Sequence, residues 1–346
     1  MRSDFPQALL AAIPLPTLFV SHDDRVGAMN DRAQALLGAG GVGRHYITVL
    51  RQPALLDCVE EALRLRQQRR IRYLTTDMGR EAAYDVTASP VEGLYGSGVL
   101  VCFEDVTERE QAGQIRRDFV ANVSHELKTP LTALLGFIET LRGPARDDPA
   151  ARARFLEIMA REAERMNRLV SDLLSLSRVE SEERVRPAAR IDAVALVNSC
   201  VHTLRPMARA AGVKLSVTGH EAPVMVAGDA DQLTQVFTNL IENAIKYGGS
   251  GGVVTVKISC TARELAFRGP GLTISVTDRG EGFDPVHIPR LTERFYRVDN
   301  HRSREVGGTG LGLAIVKHIV NRHRGRFRIE SQPGQGSRFS VMLPVA

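Results

Sequence analysis

Apolar residues recur at three- and four-residue steps through Ile115, Phe119, Val123, Leu127, Leu131, Leu134, Ile138 and Leu141, which predicts a long helix from Glu108 with one apolar stripe. Gly143-Pro144 then breaks it. Asp148 can cap a second helix with Pro149 at its first position. Along that helix Phe155, Ile158, Met159, Met166, Leu169, Val170, Leu173, Leu174 and Leu176 continue the apolar face. Two long helices joined by a short turn make a helical hairpin whose stripes are too wide for one partner helix. Pairing of two hairpins into a four-helix bundle, hence a homodimer, buries them most economically; a monomeric hairpin packed on its own neighbours is the alternative.

The 346 residues suit two or three domains. Up to about Thr107 the pattern is mixed, with strands predicted at Thr17–Val20, Tyr84–Ala88 and Gly98–Phe103 and a helix from Asn30 to Leu37. After a polar stretch from Glu180 to Arg190 an α/β domain runs to the end. Its strands are predicted at Val213–Val217, Val253–Ser259, Leu272–Asp278, Phe327–Ser331 and Ser337–Leu343, with helices starting from Asp192, Asp229 and Gly312. The organisation is therefore 1–107, 108–180 and 187–346.

The net charge of +5 comes from scattered arginines without interleaved aromatics, and there is no Trp, which argues against nucleic-acid binding. Cys58, Cys102, Cys200 and Cys260 form no CxxC pair, so thiols in a reducing compartment are expected. The longest uncharged run, Phe5 to Ser21, holds Pro6, Pro14 and Pro16 and falls short of the roughly 20 apolar residues a membrane span needs. It also lacks the basic start of a signal peptide. No membrane span and a cytoplasmic location are expected.

Four constellations carry chemistry. Ser124-His125-Glu126-Leu127-Lys128-Thr129-Pro130 lies mid-way along the first long helix. An accessible neutral imidazole can attack an electrophilic phosphorus. Thr129 is one turn on, on the same face, where its hydroxyl can hold a water. Pro130 removes the donor to the Glu126 carbonyl, so the helix can bend there. Taken alone, a helical histidine is more often an ordinary surface residue, and the other eight histidines are read that way.

In Asn239-Leu240-Ile241-Glu242-Asn243-Ala244-Ile245-Lys246-Tyr247, the helical spacing puts Asn239, Asn243 and Lys246 on one face. Leu233, Phe237, Leu240, Ile241 and Ala244 fall on the other. A neutral amide oxygen can ligate Mg²⁺ beside phosphates, and Lys246 can offset their charge; a plain amphipathic helix gives the same pattern. Asp278-Arg279-Gly280-Glu281-Gly282 ends a predicted strand, where the carboxylate can accept from an exocyclic amine and the glycines allow close approach. The same residues suit any tight turn. Gly307-Gly308-Thr309-Gly310-Leu311-Gly312 runs into an apolar helix, whose free N–H groups welcome phosphate oxygens; a flexible hinge is the alternative. No Walker lysine follows.

Order and spacing join these pieces. "FVANVSHELKTPLTAL", "NLIENAIKYG", "DRGEGF", "ERFYRVD" and "GGTGLGLAIVKHIV" resemble the H, N, G1, F and G2 boxes of sensor histidine kinases, in the family's order, from about Glu108 to the end. The resemblance implies a histidine protein kinase. It would use ATP and Mg²⁺ to phosphorylate its own His125 and pass the phosphoryl group to an aspartate of a response regulator. It further implies Glu126 as the base on His125, Asn243 as the Mg²⁺ ligand, and Asp278 as the reader of adenine. Gly308, Gly310 and Gly312 would cradle phosphate under a lid from about Tyr296 to Val306. Asn239, Lys246, Tyr247, Gly280, Gly282, Arg304, Thr309 and Leu311 would complete the nucleotide contacts, and Thr129 suggests phosphatase activity toward the regulator.

The implied fold is an α+β multidomain chain. An N-terminal PAS-like domain would precede the hairpin of a dimeric bundle and an α/β-sandwich ATP-binding domain shared with topoisomerase, chaperone and mismatch-repair ATPases. "AMNDRAQALLG" and "VCFEDVTERE" are similar to PAS segments, though no flavin or haem motif accompanies them. "FVANVSHELKTPLTAL" and the F and G2 boxes look most like those of phosphate-regulon sensor kinases, which usually begin with membrane helices. A silent dimeric scaffold, or an ATPase without histidine chemistry, would lack the intact boxes or Thr129.

Overall fold

Capping residues chosen by local chemistry open most helices of the computed structural model, which describes residues 5–77, 80–93, 96–183, 185–298 and 308–345. The chain divides into two compact units between Ala121 and Asn122.

In the first unit, β1 (Thr17–Ser21), β2 (Val26–Met29), β3 (Arg69–Asp77), β4 (Arg80–Gly93) and β5 (Gly96–Asp105) form an antiparallel sheet in the order β2-β1-β5-β4-β3. Helix α1 (Phe5–Ala11) precedes the sheet, while α2 (Asp31–Leu37), α3 (Tyr46–Leu50) and α4 (Pro53–Leu65) lie between β2 and β3 in sequence. Buried Asn30 is the keystone. Its Oδ1 caps α2 by accepting from Ala33 N at 2.9 Å and also accepts from Thr17 N at 3.0 Å, while Nδ2 donates to the Leu15 carbonyl at 2.7 Å. Losing such a cap costs about 1 kcal/mol before the other bonds are counted. Leu18, Val20, Val99, Val101 and Phe103 pack in one core with Leu55, Val59 and Ala62 of α4, and Tyr73 meets Phe103 edge-on at 5.8 Å.

The strand-to-helix exit is fixed by hydrogen bonds rather than by burial. Val106 N donates to the Ala83 carbonyl at 2.9 Å, and Thr107 Oγ1 accepts from Ala83 N at 3.0 Å. Helix α5 (Thr107–Arg142) starts there and continues into the second unit without ending at Pro130.

In the second unit α5 is followed by α6 (Pro149–Glu182), capped by Asp148 Oδ1 on Ala150 N and Ala151 N, both at 2.9 Å. The α/β part has a sheet in the order β11-β12-β10-β9-β7. It comprises β7 (Lys214–Gly219), β9 (Val253–Glu264), β10 (Gly269–Asp278), β11 (Arg326–Gln332) and β12 (Gly336–Pro344), and only β7 and β9 pair in parallel. Short β6 (Arg190–Asp192) and β8 (Met225–Ala227) pair separately. Helices α7 (Ala193–Ala210), α8 (Ala230–Gly248) and α9 (Gly312–Arg322) carry buried apolar faces. Leu233, Phe237, Leu240, Ile241 and Ala244 of α8 are buried, as are Val254, Val256 and Ile258 of β9 and Leu272, Ile274 and Val276 of β10. Helix and sheet thus form a two-layer sandwich, and the polar face of α8 lies outside that apolar core.

Among the described residues no helix is long and apolar enough to cross a membrane. The uncharged run near the start instead forms α1 and β1.

Candidate functional site

His125 is exposed on α5, and the Thr129 hydroxyl donates back to the His125 carbonyl at 3.1 Å, a local bond open to mid-helix threonines. Glu126 is half-buried between two arginines. Arg165 Nη2 of α6 donates to Glu126 Oε2 at 2.8 Å, and Arg297 Nη2 lies 3.6 Å from the same oxygen. Arg297, only 8 % exposed, also donates to the Gly308 carbonyl. One side chain therefore links the residue beside His125 to the glycine run.

Three elements converge on the polar face of α8. Asn239 and Asn243 are half-buried, and Asn239 Nδ2 donates to the Gly312 carbonyl at 3.4 Å. The Asn243 amide makes no hydrogen bond among the described residues. Lys246 is held by Glu242, Nζ to Oε2 2.7 Å, while Tyr247 is exposed.

Asp278, at the end of β10, is buried, and its Oδ1 accepts from Gly280 N at 2.9 Å and Ser337 N at 3.2 Å. Burial pushes its carboxyl above the usual carboxylate range, against the pull of those two N–H groups. Among the described residues no side chain donates to Oδ2. The glycines around it answer to backbone packing. A Cβ on Gly248 would come within 2.2 Å of Asp278 Cβ, and one on Gly280 within 2.6 Å of Gly248 Cα. Gly282 combines a φ of +61° with the Gln332 carbonyl 2.2 Å from where a Cβ would stand. The glycines of this motif thus let β10 close on α8 and so set the place of Asp278.

The glycine run folds onto Phe295. Gly310 has a φ of +74°, its carbonyl accepts from Phe295 N at 2.9 Å, and a Cβ there would lie 2.9 Å from Phe295 Cα. Thr309 Oγ1 accepts from Leu311 N at 3.3 Å. Leu311 is buried, and no side chain caps the N-terminus of α9, so its first-turn N–H groups are left to a ligand or solvent. Gly308 and Gly312 lie on the same run, whereas Arg304, Gly307 and the lid segment beyond Val298 lie outside the described residues. An unbonded amide on α8, a carboxylate oxygen at the end of β10 and uncapped N–H groups on α9 fit a nucleotide with a hard cation. Asn243 would hold the metal, Asp278 the base, and the 308–312 run the phosphates.

The second hairpin helix also reaches this region, which no sequence motif announces. Thr309 Oγ1 donates to Asp172 Oδ2 of α6 at 2.7 Å. Further along, Arg294 pairs with Glu180 at 2.6 Å, His318 with Glu183 at 2.9 Å and Arg322 with Glu182 at 2.8 Å. Arg165 and Asp172 sit far from the boxes in sequence, whereas Arg297 and Thr309 stand in "ERFYRVD" and "GGTGLGLAIVKHIV".

Residues 228–346 match the family of histidine kinase-, DNA gyrase B- and HSP90-like ATPases, and residues 115–182 match the His Kinase A (phospho-acceptor) domain. The phosphate regulon sensor protein PhoR of Pseudomonas aeruginosa is 41 % identical over 254 residues, 73 % of this chain and 56 % of that one. The sensor-like histidine kinase SenX3 of Mycolicibacterium smegmatis is 41 % identical over 247 residues, 71 % of this chain and 62 % of its own. The sensor protein kinase WalK of Staphylococcus aureus is 34 % identical over 328 residues, 92 % of this chain and 76 % of its own. The chain thus spans little more than half the length of relatives such as PhoR. Among solved structures, histidine kinase ThkA in complex with response regulator protein TrrA shares the fold with a TM-score of 0.54 at 20 % identity, over 99 % of both chains.

Proposed function

The chain belongs to the sensor histidine kinases of two-component systems, and we propose that it phosphorylates its own His125 from Mg²⁺-bound ATP and passes the phosphoryl group to an aspartate of a response regulator. The observation that carries this reading is the pairing, in one unit, of an exposed His125 on a helical hairpin with the convergence of Asn243, Asp278 and the 308–312 run. Phosphoryl transfer needs positioning and charge neutralisation more than reactive side chains, and amides, glycines and a bound metal supply both. Glu126 next to His125 is the group available to hold the second ring nitrogen.

The sheet order β2-β1-β5-β4-β3, with helices inserted between β2 and β3, supports a PAS-type sensor domain over about 1–107. The 108–180 hairpin is the dimerisation and phosphoacceptor domain in this reading, and 187–346 the ATP-binding domain. The half-covered hairpin supports a homodimer. Identity of 41 % to a phosphate regulon sensor supports a phosphate-regulon type of regulator as partner.

Incubation of the chain with γ-labelled ATP tests the core of this. Wild type takes up acid-labile, alkali-stable label and His125→Ala takes up none, while nucleotide affinity stays within about threefold because the acceptor lies outside the nucleotide domain. Label persisting on the alanine variant would sink the assignment. Offered a panel of purified regulators, the labelled protein should transfer fastest to one of the phosphate-regulon type; faster transfer to the regulator of a WalK-type kinase would reassign the partner.

A further inference from the structure

Asp172 stands on α6, in the hairpin, yet its carboxylate faces the nucleotide region. It accepts the Thr309 hydroxyl at 2.7 Å, within the run read as the phosphate cradle, and the charges acting on it from α8 are Glu242 and Lys246. Arg168, one turn back on α6, acts on it as well. Burial pushes its carboxyl above the usual range, with Glu242 adding to the rise and Thr309, Arg168 and Lys246 opposing it. A neutral acceptor would make the same bond to Thr309 without desolvating a charge. What distinguishes a carboxylate there is its effect on another anion.

We propose that Asp172 occupies the glycine run as a stand-in for phosphate, so that docking of the run on α6 and binding of nucleotide oppose each other. Phosphate oxygens arriving at residues 308–312 would meet a like charge one hydrogen bond from Thr309, and like charges in a partly desolvated site repel strongly. Relief requires either protonation of Asp172 or separation of Thr309 from α6. By linkage, nucleotide then weakens the docked contact by the same factor by which docking weakens nucleotide binding. The hairpin thereby has a direct hold on nucleotide occupancy, set by one side chain on α6.

This inference rests on the ATP-site reading above. Binding of a non-hydrolysable ATP analogue with Mg²⁺ to the full chain, measured by calorimetry, separates the two. If wild type fails to bind, the ATP-site reading falls and this one with it. If wild type binds, Asp172→Asn, which keeps shape and an acceptor oxygen but removes the charge, should bind at least threefold more tightly. An equal or weaker affinity overturns the proposal. Hydrogen exchange on wild type gives an arm free of any variant. Saturating analogue should speed amide exchange in α6 around residues 169–176, and unchanged or slower exchange there overturns it too.

Discussion

Arg165 of α6 holds Glu126 of α5 at 2.8 Å, with the two side chains 15 % and 23 % exposed, so the carboxylate beside His125 is tied across the hairpin. Arg297 faces the same oxygen at 3.6 Å, and Glu162 lies 3.7 Å from Arg165. In this arrangement the arginines share Oε2 of Glu126.

Glu126→Gln keeps the shape and an acceptor but removes the charge. If Glu126 is the base on His125, initial rates of autophosphorylation should fall about a hundredfold or more, the range general-base catalysis contributes. Nucleotide affinity should stay within about threefold. Rates near wild type would remove Glu126 from the chemistry and leave it as a structural partner of Arg165.

Asn243, on the polar face of α8, has an amide with no hydrogen bond among the described residues. In the proposed site Asn243→Asp would add a negative charge beside the phosphates and alter the Mg²⁺ shell, so nucleotide-dependent labelling should be suppressed. The check is labelling across a Mg²⁺ titration; a normal metal-dependent rate would count against the metal role.

Much of this was legible because the signals are local. Asp148, Asp192 and Asp229 each cap the helix that follows them, and the α8 stripe separates buried Phe237 and Ile241 from half-buried Asn239 and Asn243. Helix α4, not among the predicted elements, carries an equally local signal, with Pro53 in its first turn and Leu55, Cys58, Val59 and Ala62 on one buried face. The arginine-rich β3 and the three-residue β6 and β8 do not, since alternation has no length or contrast in which to show. Arg165 and Asp172 are absent from any motif because their partners are made by packing two distant segments. The glycines near Asp278 were visible, but their physical reason was not: only the structure brings Gly248 against Gly280.

Thr129 gives a prediction separate from the kinase. Its hydroxyl donates to the His125 carbonyl at 3.1 Å, a weak local bond that a water-holding role would exchange for another. Thr129→Ala should keep autophosphorylation and prolong the life of phosphoaspartate on the regulator. Equal decay with wild type and variant would refute a phosphatase role for this hydroxyl.

His323 sets an acid limit on stability. It is fully buried; its Nε2 accepts from Asp229 N at 2.9 Å, so Nδ1 carries the proton and donates to the Ile319 carbonyl at 2.8 Å. Burial holds its pKa below the ordinary 6.5, so the fold favours the neutral ring. The stabilisation is complete above 6.5 and is lost as pH falls toward and through the lower folded value. The carboxyls of half-buried Asp172 and buried Asp278, raised in the fold, act in the opposite sense, losing stability as pH rises through them. Comparing wild type with His323→Gln isolates the histidine: denaturant midpoints should fall more steeply below pH 6.5 in wild type. Parallel slopes would remove His323 from the acid response.

The hairpin face decides the assembly. Leu131, Leu135 and Ile138 of α5 and Leu156 and Leu174 of α6 are exposed, with Leu135 at 55 % and Ile138 at 39 %, whereas Leu134 is half-buried within the chain. Each Leu- or Ile-sized side chain taken from water contributes about 1.5–3 kcal/mol when fully buried. Half a dozen per subunit outweigh the several kcal/mol lost in association. A second copy offers the same stripe by symmetry, so the free chain should be a dimer at micromolar concentration. Glutamate at Leu135 and Ile138 should give monomers that retain nucleotide binding, since both positions lie on α5 away from the α8–β10–α9 site; the same change at Leu134 should also unsettle the hairpin. Light scattering and sedimentation read the mass directly. A monomeric wild type would overturn the bundle and leave the nucleotide site standing, because nothing in the convergence of Asn243, Asp278 and residues 308–312 depends on a second copy.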